Sequence, residues 1–414
     1  MAGALISICA PLAITAQHTH AESPASDSQS IWSPGASGIL LVTHASPAHA
    51  GRSLTEGYLS QPMIMLSGHD RSDRLSLNSI VDFEGLTLKR GELNAGMFGE
   101  GYVDRRHPHT YLHELVVTGT TAIGAARASI AVGKGFVAFG TPDPMTRPFA
   151  KYPVNHHLSQ ILERALITGA VRTGPLLVEA SSFNGDEPTS PSDWPESKRL
   201  FDSWSVRGTL FPVAGIEVQG SFARVKSPEL DAGGGLDQRK LNLSFEHSHE
   251  GTRIPHHVLA EWARSADYSG SDEAFAFTSF LIEGEAEVRG FTFAGRVERT
   301  ERPEEERLAN VFRTARPAQD FSILGKTRWT VETLALSRGV RAGSARIAPF
   351  IEVSHARPVA VLRPTAFEPR DFYGARSLWS VSIGARVSVG MMHTSAGQYG
   401  AASRHAPSTM GHMH

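Results

Sequence analysis

The stretch SLWSVSIGARVSV, residues 377–389, decides the fold. Trp379, Val381, Ile383, Ala385, Val387 and Val389 fall on one face, and Ser380, Ser382, Gly384, Arg386 and Ser388 on the other. A strand sends successive side chains to opposite faces, so this unbroken period of two predicts a strand with one apolar and one polar side. Alone it would also suit a soluble sandwich. The pattern recurs at 202–211, where Trp204, Val206 and Leu210 oppose Ser203, Ser205, Arg207 and Thr209. It recurs at 215–225 (Ile216, Val218 and Phe222 against Glu217, Gln219 and Ser221) and at 238–247 (Leu241, Leu243 and Phe245 against Lys240, Asn242 and Ser244). Read the same way, 321–334 puts Ile323, Trp329 and Val331 outward and Lys326, Arg328, Thr330 and Glu332 inward.

Pattern and turn signals give about sixteen strands. They span 38–45, 61–68, 74–88, 111–121, 126–135, 160–172, 175–183, 202–211, 215–225, 238–247, 256–264, 275–286, 290–299, 321–334, 344–355 and 377–389. The links at 69–73, 122–125, 173–174, 212–214, 248–255, 287–289 and 335–343 are short. Those at 46–60, 89–110, 136–159, 184–201, 226–237, 265–274, 300–320 and 356–376 are long and polar. Short turns alternating with long loops are the mark of an outer-membrane barrel, whose apolar face meets lipid and whose polar face lines the lumen. The expectation is an all-β protein, a closed antiparallel transmembrane barrel sealed by 377–389 against 38–45, with both termini in the periplasm. A soluble propeller is the rival, and it does not predict the asymmetry of the loops.

Composition agrees. The 414 residues carry a net charge of −2, so no basic footprint calls for nucleic acid. No interior run approaches the roughly 18 apolar residues a membrane helix needs. Met1 to Ala16 is apolar and uncharged and is followed by small residues, which predicts an export signal cleaved after Ala16 or Ala21. No Lys or Arg precedes the run, as if translation began upstream of Met1. The sole cysteine, Cys9, would leave with the signal. The expected organisation is a signal peptide at 1–21, a periplasmic segment at 22–37, the barrel at 38–389 and a His/Met-rich tail at 390–414.

Family resemblance enters at particular motifs. SIGARVSV (382–389) resembles the signal that outer-membrane barrels carry in their last strand, although about 25 residues follow it here. GEGYVDRRHPHTYLHEL (99–115), GKGFVAFGTPDPMTRPF (133–149), KYPVNHHLSQ (151–160), EASSFNGDEP (179–188), DSWSVRGTLFP (202–212) and SFARVKSPE (221–229) resemble a poorly characterised family of porin-like bacterial outer-membrane proteins. Its members are often associated with heavy-metal handling. The resemblance implies a porin-type barrel and supplies no catalytic residues.

The densest polar cluster is DRRHPHTYLHE (104–114), with Asp104, Arg105, Arg106, His107, His109 and His113. The loop one hairpin further on carries Arg147, Lys151, His156 and His157. Strands joined by a short turn are neighbours, so these two loops should meet at one mouth. There they would narrow the lumen, held by hydrogen bonds, or ligate a borderline divalent ion such as Zn or Cu through His107, His109, His113, His156 and His157. Met391, Met392, His393, Met410, His412, Met413 and His414 add thioether and imidazole donors suited to copper. Ser159 follows His157 by two residues, but no G-x-S-x-G elbow occurs.

The expected function is passage of small polar solutes or ions, without enzyme activity and with no cofactor beyond a possible divalent or copper ion. Outer-membrane lipids and the barrel assembly machinery are the expected partners. A copper-type binding or export barrel is the first alternative, and a barrel hydrolase the second. Inward charges of both signs (Glu217, Glu283, Glu285, Glu287, Arg207, Arg296, Lys326, Arg328, Glu332 and Arg386) predict no strong ion preference.

Overall fold

The computed structural model describes residues 32–403 other than 50–51, 73, 88–108, 142–145, 189, 250–253, 306–322, 363–367 and 391–396. The strands are β1 (Trp32–His49), β2 (Arg52–His69), β3 (Leu75–Asp82), β4 (Leu112–Ile123), β5 (Ala126–Gly135) and β6 (Arg164–Thr173). Next come β7 (Leu176–Phe183), β8 (Ser203–Leu210), β9 (Ile216–Val225), β10 (Asp237–His249), β11 (His256–Ser269) and β12 (Asp272–Val288). Last are β13 (Phe291–Glu305), β14 (Ile323–Arg338), β15 (Val340–Ala342), β16 (Ala345–Leu362) and β17 (Leu378–Gly390). Each pairs antiparallel with its successor, except that β14 and the short β15 both pair with β16 and share one position in the wall. The wall therefore has sixteen staves. It closes where β17 pairs with β1, from Gly35 opposite Gly390 to Ser46 opposite Trp379. No described helix is long and apolar enough to cross a membrane.

The faces sort by polarity. In β8, Ser203, Ser205, Arg207 and Thr209 are buried in the barrel, while Trp204, Val206 and Leu210 stand on the outer surface. Ile216 shares the outward phase of Val218, and Leu243 and Trp379 are likewise outside. An exterior of Leu, Val, Ile, Phe and Trp over a polar interior is soluble only in lipid, and closure leaves no backbone group unpaired there.

Three expectations change. First, Trp329 and Val331 point inward and are buried with Ala356, Leu378 and Tyr373 of the short helix Pro369–Tyr373. Lys326 and Arg328 lie on the opposite face with Glu301, at 3.2 and 2.7 Å, and Glu332 pairs with His355 at 2.9 Å and with Arg357. The reason is height. A tilted strand crosses the hydrocarbon in about 9–11 residues, and β14 has 16. Toward its loop end the outer face meets water, so the sense of the alternation inverts. Second, 46–60 and 265–274 are not long loops. β1 runs on to His49 and β2 starts at Arg52, and β11 and β12 are separated only by Gly270 and Ser271. These stretches are rich in Ser, Gly and charged residues, which erases the period-two signal that a half-buried strand shows. Third, β1 begins at Trp32, inside the segment assigned to the periplasm. The export signal lies outside the described residues.

Leu243 sits midway along β10, between Gly220 and Trp262 of the flanking strands. Leu243→Arg should lower the unfolding free energy in bilayers by about 2–4 kcal/mol. Leu243→Ala should cost clearly less. Equal losses in a urea titration would mean that this face does not meet lipid.

Candidate functional site

The segment 136–163, between β5 and β6, folds into the barrel. It opens on Phe136, Val137, Ala138 and Phe139, all buried, with Val137 and Phe139 in one apolar cluster with Ile161, Leu166 and Phe183. Gly140 then turns the chain at φ +67°. A Cβ there would lie 1.6 Å from the Ser159 carbonyl oxygen, so only glycine fits. Three inward side chains of β8 and β9 hold this turn. The Gly140 amide donates to Ser221 Oγ (3.0 Å), and its carbonyl accepts from Gln219 Nε2 (2.7 Å) and Arg207 Nη1 (3.3 Å).

Beyond Gly140 the segment crosses the lumen and is fastened by wall charges of both signs. Carboxylates accept from it: Ala150 N to Glu352 (2.7 Å), Val154 N to Glu298 (2.8 Å), and Asn155 Nδ2 to Glu261 (2.6 Å). Cations donate to its carbonyls: Arg386 to Phe149 (3.0 Å), Arg296 to Lys151 (2.9 Å), and Lys240 to His157 (2.6 Å). Arg147 faces Glu283 at 3.4 Å, and Lys151 donates to Ser380. Burial pushes the Lys151 ammonium down to about 8. Each wall charge is thus met by a peptide dipole or an opposite charge, which a low-dielectric interior requires.

The chain after β17 also turns inward. Tyr399 is buried; its hydroxyl donates to Glu114 (3.0 Å) and accepts from the Phe136 amide (3.0 Å). The Ala401 amide donates to Ser129 Oγ at 2.9 Å. Arg207 joins tail to segment. It is bidentate to Glu179 at 2.6 and 2.7 Å, and it donates to the Gly397 carbonyl (2.9 Å) as well as to Gly140.

The third component is a cluster of acids and imidazoles. Asp82 ends β3, Glu84 opens the short helix Glu84–Thr87, His109 precedes β4, His113 sits at a bulge in β4, and Glu163 precedes β6. His109 Nδ1 lies 3.4 Å from Asp82 Oδ2 and 3.2 Å from Glu84 Oε2. Glu84 Oε1 accepts from Ser60 Oγ at 2.8 Å. His113 Nδ1 bonds Glu163, whose carboxylate also accepts from the Thr110 amide at 3.0 Å. Glu163 holds φ +58°, a conformation that costs a non-glycine residue roughly 1–3 kcal/mol and collects at functional sites. Burial would lower the His109 imidazole, but Asp82 and Glu84 outweigh it and hold it well above its ordinary range. Burial would raise Glu163, and His113 outweighs it downward.

Of the predicted residues, His109 and His113 meet here, their ring centroids 5.2 Å apart. The Tyr152 ring follows 6.2 Å from His109, then His156 at 5.6 Å and His157 at 4.0 Å. His109 and the segment 136–163 thus meet, but Tyr152 stands between His109 and the His156–His157 pair. Asp104, Arg105, Arg106 and His107 lie outside the described residues, as do Met391, Met392, His393, Met410, His412, Met413 and His414. Asp82, Glu84, Glu163 and Tyr399 were not foreseen. The acids at i and i+2 in VDFEG (81–85) were the available sign, since that spacing puts two charges on one face of an extended chain.

No protein-family model and no curated protein matches the chain. Among solved structures, the anion-selective porin from Comamonas acidovorans is similar, with a TM-score of 0.50 and 10% identity over 87% of this chain and 99% of that one. OccK2 from Pseudomonas aeruginosa, in complex with glucuronate, gives 0.40 and 8% over 87% and 98%. The first likeness speaks to the fold, which is that of a sixteen-stave bacterial outer-membrane barrel.

Gly140→Val should undock the segment while the barrel still closes. The expected result is heat-modifiable migration on gels as in the wild type, with new protease cleavage within 136–163 and a larger conductance. Wild-type protease resistance would show that Gly140 is not the pin.

Proposed function

We propose that this chain is an outer-membrane channel of porin type, passing small polar solutes or ions through a lumen narrowed by the inward segment 136–163. The observation that carries this reading is the fastening of that segment across the barrel by Glu261, Glu298, Glu352, Arg296 and Arg386. A spar bonded to facing walls sets the bore, and its backbone and side chains line the way past it. Outer-membrane lipids and the barrel assembly machinery are the partners this reading requires. The lumen charges are of both signs, so discrimination between small ions is expected to be weak. The hydrolase alternative gains no support: the Ser159 hydroxyl donates to the Asn155 carbonyl at 3.3 Å, and His156 Nδ1 donates to the Pro153 carbonyl at 2.8 Å. A nucleophile needs its base within hydrogen-bond reach.

Single-channel recording in planar bilayers tests the proposal. The expected result is stepwise conductance in potassium chloride, with a permeability ratio near unity at pH 7. Protein that inserts but never conducts would overturn it.

The same recording gives a pH test. With its ammonium held near 8, Lys151 is mostly charged at pH 7 and mostly neutral at pH 9. Lys151 therefore gives up its positive charge over that interval. Selectivity should shift toward cations in the wild type and shift less in Lys151→Met. Identical shifts would remove Lys151 from the field felt by permeating ions.

A further inference from the structure

The cluster at the mouth has a chemistry that solute passage does not use. Three carboxylates, Asp82, Glu84 and Glu163, are buried together, each at most 3% exposed. The Lys134 ammonium acts on this group through Glu163 and donates to Thr110 Oγ1 and to the Leu112 carbonyl. With both imidazoles neutral, as ligation requires, the three carboxylates carry an excess of negative charge that a single divalent cation offsets in place of the proton His109 otherwise holds. Buried charge without such balance is strongly unfavourable.

The geometry supports a cation here on three further counts. Asp82 Oδ2, Glu84 Oε2 and His109 Nδ1 are buried and converge, yet none makes a hydrogen bond. Their contacts of 3.4 and 3.2 Å are longer than the roughly 2.7–2.9 Å of a good charge-assisted bond. One ligand atom each from Asp82, His109 and His113 lies within 4.8 Å of the others, as the corners of one coordination shell must. The bond from His113 Nδ1 to Glu163 fixes that ring and presents Nε2 as its donor. A carboxylate orienting a ligating histidine in this way recurs at zinc centres.

We infer that Asp82, Glu84, His109 and His113 form a binding site for one borderline divalent cation, Zn(II) in the first instance, with Glu163 positioning the His113 ring. Two imidazoles with carboxylates suit Zn(II) better than the hard ions Ca(II) and Mg(II), which prefer all-oxygen shells, or Cu(I), which prefers sulfur. The site draws on His109 and His113 from the predicted set and leaves out His156 and His157, which lie beyond Tyr152. It does not depend on the channel reading, which is tested separately in metal-free electrolyte.

The test uses the full-length barrel in detergent, stripped with chelator and titrated with Co(II), whose visible bands report coordination, then with Zn(II) in competition. One saturable Co(II) per barrel is expected, displaced by Zn(II). His109→Gln combined with His113→Gln should abolish it. Glu163→Gln should keep the stoichiometry and weaken binding by roughly 10–100-fold. Replacing His405, His412 and His414 by alanine should leave the band unchanged. Heat-modifiable migration checks closure of every variant, and Glu84→Gln, isosteric and expected to weaken binding at least tenfold, stands in if the double variant fails to close. The inference is overturned if the wild type shows no saturable band, if the band survives the double variant, if it disappears with the tail histidines, or if Glu84→Gln binds like the wild type.

Discussion

A strand edge cannot face hydrocarbon, and that constraint shapes everything else in this molecule. The seam between β1 and β17 removes the last edge. It is tight at Gly384, where a Cβ would stand 2.3 Å from the Leu40 carbonyl oxygen, and beside it Thr43 and Ser382 join hydroxyls at 2.8 Å inside the barrel. The glycine of the terminal SIGARVSV motif therefore has a local steric reason. Once the wall is closed, its polar face is enclosed, and every inward charge must find a partner within the lumen. The segment 136–163 and the tail at Gly397–Ser403 supply those partners.

Arg207 shows how this works. Its guanidinium is paired with Glu179 on the neighbouring strand and still reaches two carbonyls, at Gly140 and Gly397, from parts of the chain far apart in sequence. A planar fork with five donors can do this, and a lysine could not. Removing one partner of a buried pair usually costs 3–5 kcal/mol, and here the same change would also loosen the two segments that occupy the lumen.

The barrel was legible in the sequence because lipid enforces alternation strand by strand. Every strand read from 202–211 to 377–389 has a counterpart in the wall, and Trp204, Leu243 and Trp379 face outward as read. The reading failed where lipid stops enforcing it. Trp329 lies on the part of β14 near the loops, where an apolar side chain gains more by packing on Tyr373 than by facing water. The chain between β1 and β2 and between β11 and β12 is rich in Ser, Gly and charged residues and so looked like loops. At the mouth, histidines were visible as a cluster, and His109 and His113 do meet. Their carboxylate neighbours were not visible, because Glu163 reaches His113 across 50 positions of sequence. Tyr399 was passed over because a tail beyond the last strand gives no sign that it re-enters the barrel.

The inward segment also has a mechanical meaning. A closed sheet resists stretching along its strands but flattens into an ellipse at little cost, since that mode only bends inter-strand hydrogen bonds. The segment springs from β5 and β6 and is bonded to β12 and β13, half the circumference away, and then to β16 and β17. It is a tie-beam across the diameters that those bonds span. Lateral pressure from the bilayer then acts on a braced ring rather than a hollow one, whose size the sixteen staves set and whose roundness the beam helps to hold.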